Sequence, residues 1–180
     1  MGRARGDRGQ GARDSGPPLL PSTPRPGNLG VHLTSHILQP GPAPMSLYLA
    51  APLFTAAELA FNAELARRLR AAGLTVLVPQ EFCAPFGGPP ADFAAIYRAC
   101  IEHLAAARLV VAVLDGADPD SGTCFEVGHA SARGIPIIGV RTDIRPGEDG
   151  GLPNCMLTRA CIRVVHDLDE AVRAAQQALA

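Results

Sequence analysis

From residue 45 onward, short runs of consecutive apolar residues alternate with stretches in which apolar positions return every three or four residues. The runs cover 47–51, 75–78, 109–114, 135–140 and 162–165, and suit strands covered on both faces; the wider spacing suits amphipathic helices. Thr55-Ala-Ala-Glu58 reads as a capping box, Leu59, Leu65, Leu69 and Ala72 follow at helical spacing, and Gly73 offers a C-cap, which predicts a helix over 56–72. Asp92 opens a second helix, on which Phe93, Ile96, Tyr97, Cys100 and Leu104 share one core-facing side. A third helix is predicted over 122–133, and a last one over 168–179 behind the box-like Asp167-Leu-Asp-Glu170. Strands alternating with helices predict βαβ units: an α/β fold with a doubly wound, flavodoxin- or Rossmann-like sheet of five parallel strands and helices on both faces. Between the fourth and fifth strands, 141–157 reads as a long polar loop rich in Gly, Pro and Asp, of the kind that carries function or moves.

Residues 1–44 show neither rhythm. They hold 16 of the 36 Gly and Pro residues and five Arg against Asp7 and Asp14, a composition that predicts a disordered extension ahead of a single domain at 45–180. Met45 is a candidate true start. The arginines resemble those of an organellar transit peptide, but eight Gly and eight Pro disfavour the amphipathic helix such a signal needs.

Composition narrows the function. Arg supplies all 16 basic residues and Lys is absent, which removes P-loop and Schiff-base lysine chemistry. Sixteen basic against 17 acidic residues leave no positive field for a nucleic acid polymer or an anionic membrane. The longest strongly apolar runs are too short to span a bilayer. Five cysteines, an odd number without a CxxC pair, read as free thiols in a reducing, cytoplasmic setting. His103, His129 and His166 have no metal-site spacing and His32 and His36 fall in the extension, so no metal and no organic cofactor are expected.

In an open parallel sheet, ligands bind beyond the carboxyl ends of the strands where strand order reverses. The loop after the first strand, Ala50-Ala51-Pro52-Leu53-Phe54, lacks GxGxxG, and no GxSxG elbow occurs anywhere. The informative stretch is Asp115-Gly-Ala-Asp118-Pro-Asp120-Ser-Gly122-Thr-Cys-Phe-Glu126-Val-Gly128, four acids within twelve residues where a strand hands over to a helix. Glu126 reads in two ways. In the first turn of the third helix its carboxylate would be favoured by the dipole and available as a nucleophile; alternatively Thr123-Cys-Phe-Glu126 is a capping box and Glu126 merely closes the helix end. Asp120 likewise reads as a ligand contact or as a turn or N-cap residue. Gly122 and Gly128 remove side chains where a ring-shaped ligand would approach.

Taken together, Tyr48-Leu-Ala-Ala-Pro-Leu-Phe54, Val-Leu-Asp-Gly116, Asp120-Ser-Gly-Thr-Cys-Phe-Glu126-Val-Gly-His-Ala130, Gly134-Ile-Pro136 and Asn154-Cys-Met156 resemble the nucleoside 2-deoxyribosyltransferase family, from about Leu47 to the C-terminus. The resemblance implies that Glu126 attacks the anomeric carbon of a 2-deoxynucleoside, expels the base and holds a covalent deoxyribosyl intermediate that a second base captures. It implies that Tyr48 positions the nucleophile and that Asp120 lies near the sugar or base. Ala51, Pro52, Phe54, Cys100, Gly122, Asn154 and Met156 fall at substrate-binding positions. Asn154 and Met156 match an element that reaches a neighbouring subunit's pocket, which implies a homo-oligomer with shared sites acting on deoxynucleosides and free nucleobases.

One position departs from the family pattern. Where the family carries an aspartate that contacts the base and assists its protonation, this chain has Cys100. A thiol offers neither the proton donor strength nor the two acceptor oxygens of a carboxyl group, so base departure needs another acid. Glu81, Asp92 and Asp118 are the candidates, while Glu102 points about 200° away from Cys100 around the helix. Cys100 also reads simply as a small buried apolar residue. Two competing functions follow: an N-glycosidase in which water takes the sugar from a deoxynucleoside or its 5′-monophosphate, and a nucleotide-binding module without turnover.

Overall fold

The computed structural model describes residues 46–145 and 154–180. The extension 1–44, Met45, the His32–His36 pair and the middle of the long polar segment lie outside the described residues. Five strands, β1 (Ser46–Ala50), β2 (Thr75–Leu77), β3 (Leu109–Val113), β4 (Ile137–Val140) and β5 (Arg163–Val165), form one wholly parallel sheet in the order β2-β1-β3-β4-β5. Strand order therefore reverses between β1 and β3, and the crevice of this flavodoxin-like arrangement opens above their carboxyl ends.

Residue alternation along the strands sorts the core into two layers. Leu47, Leu49, Val111, Val113 and Ile138 face α1 (Ala56–Ala71) and α6 (Leu168–Leu179), which contribute Leu65, Leu69, Ala171, Ala175 and Leu179. Tyr48, Ala50, Val110, Ala112 and Leu114 face the other way, onto Leu104 of α3 (Phe93–Ala106), Val127 and Ala130 of α4 (Ser121–Ala132) and Leu157 of α5 (Cys155–Ala160). The doubly wound sheet anticipated from the sequence is thus present, with Tyr48 on the α3/α4 side. Gly139 of β4 lies where a side chain has no room: a Cβ there would fall 2.8 Å from Leu114 Cδ1 and 3.1 Å from Cys161 Sγ.

Local signals account for the helix ends. Thr55 Oγ1 accepts from Glu58 N while Glu58 Oε2 accepts from Thr55 N at 2.7 Å and Phe54 N at 2.9 Å, the capping box the sequence announced. Gly73, at φ +87°, lets the chain leave α1 in the left-handed region. Asp92 caps α3 through Ala95 N, and Asp167 caps α6 through Glu170 N.

Three expectations are corrected. The stripe on α3 does not face the core throughout: Leu104 is fully buried, but Phe93 is 78% and Tyr97 58% exposed, because the N-terminal half of the helix turns Ala95 inward instead. The loop expected over 141–157 gives way to α5 at Cys155, since Asn154 supplies the helix with an N-cap. Between β2 and α3 the chain forms a short helix, α2 (Pro79–Phe82), and a 3-10 turn (Ala84–Phe86), neither of which has the length for periodicity to reveal it.

Candidate functional site

Tyr48 and Glu126 meet beneath the switch point. The Tyr48 phenol, on a fully buried strand, donates to Glu126 Oε1 at 2.5 Å. Glu126 stands in the second turn of α4, not the first, because the helix begins at Ser121 with Asp120 as its N-cap. Asp120 Oδ2 accepts from Thr123 N at 2.8 Å and from Thr123 Oγ1 at 3.2 Å, so the capping box expected of Thr123 and Glu126 is absent and Glu126 is free of any helix-end duty. Gly122 matters here: a Cβ would approach Asp120 Oδ2 to 3.0 Å.

The dipole is consequently not what governs Glu126. Burial pushes its carboxyl up to about 7, aided by the nearby Asp120 charge, while the Tyr48 hydrogen bond works in the opposite direction. The Tyr48 phenol is held far above its ordinary range, by burial first and by the Glu126 charge second, and stays a donor. A partly desolvated carboxylate with one fixed donor is a suitable nucleophile for an electron-poor carbon.

Beside the pair lies a pocket of about 240 Å³ walled by Leu53, Leu59, Pro79, Gln80, Cys83, Ala84, Gly87, Ile96 and Cys100. It is almost wholly apolar. The Cys100 thiol lies 3.7 Å from Cys83 Sγ in the pocket wall. Burial raises both thiols, Cys83 to about 12. Gln80 adds an amide whose Oε1 is buried with no partner among the described residues and whose Nε2 makes only a 3.4 Å contact to Leu59 O. No carboxylate lines this pocket. Of the acids considered for base protonation, Glu81 is paired with Arg70 at 2.7 Å, Asp92 caps α3, and Asp118 is exposed in the β3–α4 loop.

The other anticipated positions divide. Ala51 is buried at the end of β1, and Pro52 O accepts from Asn62 Nδ2 at 2.7 Å on the α1 side of the sheet, away from Tyr48. Phe54 is exposed at the crevice rim. Asn154 Oδ1 accepts from Met156 N and Leu157 N as the cap of α5, and the Met156 side chain is exposed. Within one copy of the chain neither residue joins the Tyr48–Glu126 pair.

Sequence reasoning missed Cys83, Gln80 and the support behind β3. Cys83 and Gln80 lie on the irregular α2 segment, where only residue type gave a signal. In the support, Asp115 accepts from Thr142 N at 2.6 Å, Thr142 Oγ1 at 2.6 Å and Asp143 N at 2.9 Å, tying the β3 end to the β4 end. Arg141, 2% exposed, donates to Leu114 O at 2.7 Å and Gly116 O at 2.6 Å. Asp115 thus braces the loop that carries Asp120 rather than facing the pocket. Among the described residues no group of three or more His, Cys, Asp or Glu side chains is placed to hold a metal ion, and no helix is long and apolar enough to cross a membrane.

A flavodoxin-like sheet with a phenol-bonded carboxyl at its switch point defines a class of carboxylate-bearing α/β proteins. The nucleoside 2-deoxyribosyltransferase family model matches residues 47–157, and the chain belongs to that family of nucleoside-processing enzymes. Solved structures agree. A conserved protein from Enterococcus faecalis V583 is 26% identical with a TM-score of 0.62, over 75% of this chain and 99% of its own. A 2-deoxyribosyltransferase from Bacillus psychrosaccharolyticus is 26% identical with a TM-score of 0.60, over 71% and 90%. A Leishmania mexicana 2-deoxyribosyltransferase is 26% identical with a TM-score of 0.56, over 73% and 95%. A comparison with curated protein sequences gives no match.

Proposed function

We propose that the protein transfers 2-deoxyribose between nucleobases of 2-deoxynucleosides, with Glu126 as nucleophile. The observation that carries this reading is the 2.5 Å contact between Tyr48 and Glu126. A Glu126 carboxylate oxygen bonds to C1′ as the C1′–N bond breaks; the bonding pair leaves with the base nitrogen, which takes a proton. An incoming base nitrogen then attacks C1′, loses its proton and returns Glu126 as carboxylate. Two displacements give net retention, and each replaces one hard step by an easier one through an oxocarbenium-like transition state stabilised by the adjacent anion. Tyr48 fixes the attacking oxygen, Asp120 shapes the loop beside it, and Gly122 keeps the approach open. Leu53, Ile96, Cys83 and Cys100 supply apolar wall to the base, with the Gln80 amide offering a donor and an acceptor to its edge. Ala51 and Phe54 lie at the sugar side of the crevice, while Pro52 faces α1. No metal or organic cofactor takes part.

The working unit is a homo-oligomer in the cytoplasm. Phe93, Tyr97 and Phe125 present an exposed aromatic face on α3 and α4, with Tyr97 and Phe125 6.4 Å apart, immediately outside Glu126. A second copy covering that face would bring Asn154 and Met156 of one subunit towards the crevice of another. The five free cysteines fit a reducing compartment.

Chromatography of a 2-deoxynucleoside incubated with the protein, with and without a different free base, tests the reading. A new deoxynucleoside formed only with the second base is the expected result. Free deoxyribose in both incubations would make the protein a hydrolase. No base release from any purine or pyrimidine donor, 5′-monophosphates included, would leave a binding module.

A further inference from the structure

Cys83 and Cys100 are neighbours in the wall of the apolar pocket. Cys100 belongs to the middle of α3, a regular helix, whereas Cys83 caps α2 at the start of a segment, residues 84–90, that is mostly exposed and holds Gly87 and Gly88. Their sulfurs are 3.7 Å apart, against about 2.05 Å in a disulfide, so closure needs about 1.7 Å of approach. The side that must move is the one least tied to the core. Among the described residues the rest of the pocket wall is apolar apart from the Gln80 amide.

We propose that Cys83 and Cys100 are an oxidisable dithiol whose disulfide locks the pocket against the base. With hydrogen peroxide as oxidant, the Cys100 sulfur attacks one peroxide oxygen, the O–O bond breaks and hydroxide leaves, giving the sulfenic acid. Cys83 sulfur then displaces that hydroxyl as water, so two electrons pass from the sulfur pair to one peroxide and the two thiol protons end in water. The bond draws the α2 wall onto the α3 wall and narrows the pocket that the two share. Both thiols are half-buried, and the same disulfide results if their roles are exchanged. Burial of both sulfurs favours a small uncharged oxidant over a bulky disulfide. Cys155, exposed on α5, and Cys124 and Cys161 lie outside the pocket wall.

The effect on turnover rests on the function proposed above; formation of the bond does not, and the test reads the two separately. The full-length protein is treated with peroxide at low concentration, quenched, alkylated and mapped by mass spectrometry, while nucleoside turnover is followed in reduced, oxidised and dithiothreitol-rescued samples. Expected are a Cys83–Cys100 linked peptide, at least tenfold loss of turnover and recovery with dithiothreitol, and no linked peptide in Cys83→Ser. Peroxide-treated protein in which both cysteines remain alkylated, or pair with other cysteines, overturns the proposal, as does a linked protein with undiminished turnover. Peroxide inactivation that is equal in Cys83→Ser also overturns it. A reduced protein without nucleoside chemistry would instead sink the functional reading and leave the linkage result standing.

Discussion

The Tyr48 phenol and the Glu126 carboxyl, 78 positions apart in the chain, are held 2.5 Å from each other by a buried strand and the second turn of a helix. Neither group can leave the other without losing its only side-chain hydrogen bond in a nearly dry site, where an unpaired polar group costs about 1–3 kcal/mol. Burial sets the Glu126 acidity and Tyr48 trims it, so the pair is the point at which fold stability and chemistry are coupled.

Tyr48→Phe removes the bond that lowers the Glu126 pKa, which lies near 7. The reactive form is the carboxylate, so the acidic limb of the pH–rate profile moves to higher pH, with a loss of about 10- to 100-fold at pH 7 from misplacement of the nucleophile. A profile with an unmoved limb would mean that Tyr48 does not act through Glu126.

Asp120→Asn acts in the opposite direction. Its charge raises the Glu126 pKa, and Asn keeps an acceptor for Thr123 N, so the acidic limb moves to lower pH while stability changes by less than about 0.5 kcal/mol. Asp120→Ala shifts the limb likewise but loses the cap, at a cost of about 1 kcal/mol. Urea titrations of both variants beside their pH–rate profiles check this.

Glu126→Gln abolishes base release and alters the pH dependence of stability. The folded carboxyl holds its proton to about 7 and the unfolded one only to about 4.5, so between those values the native state binds more protons than the unfolded chain. Stability therefore falls as pH rises through that window, by up to about 3 kcal/mol. The amide does not titrate, and a melting-temperature series from pH 4.5 to 8 should show a flatter curve for the variant, which becomes the more stable protein above pH 7.

Arg141→Met leaves Leu114 O and Gly116 O without their donor. A loss of about 2–4 kcal/mol is expected, read as a lower denaturant midpoint at unchanged slope. Because the same residues brace the β3–α4 loop, the surviving folded protein should also lose turnover.

Tyr97→Arg and Phe93→Arg place charge on the exposed aromatic face. Sedimentation velocity should show a smaller species than the parent chain, with a melting temperature of the monomer fold changed little. An unchanged sedimentation coefficient would move the interface elsewhere.

Much of the fold was legible because its signals are local. The capping box at Thr55 and Glu58, the glycine after α1 and the five apolar runs each report a few neighbouring residues, whereas the strand order β2-β1-β3-β4-β5 is set by pairing between distant segments. Glu126 and Tyr48 were legible only through resemblance, since their contact spans most of the domain. The error over Glu126 shows why. Thr123-Cys-Phe-Glu126 and Asp120-Ser-Gly-Thr123 are overlapping caps of similar quality on paper, and the choice between them falls to burial, which carries Glu126 under β1 and leaves Asp120 at the helix end. The exposure of Phe93 and Tyr97 was hidden for a related reason: helical spacing shows that residues share a face, not what that face meets.

The chemistry and the ring pocket are carried by different parts of the chain. Tyr48 and Glu126 come from β1 and the helix after β3, whereas most of the pocket wall comes from the irregular stretch between β2 and α3. A segment with so little role in the core can accept insertions and exchanges while the attacking group stays where it is. Variation confined to Gln80, Cys83, Ala84 and Gly87 reshapes the pocket wall while leaving Tyr48 and Glu126 in place, which under the function proposed above is a route to altered base choice.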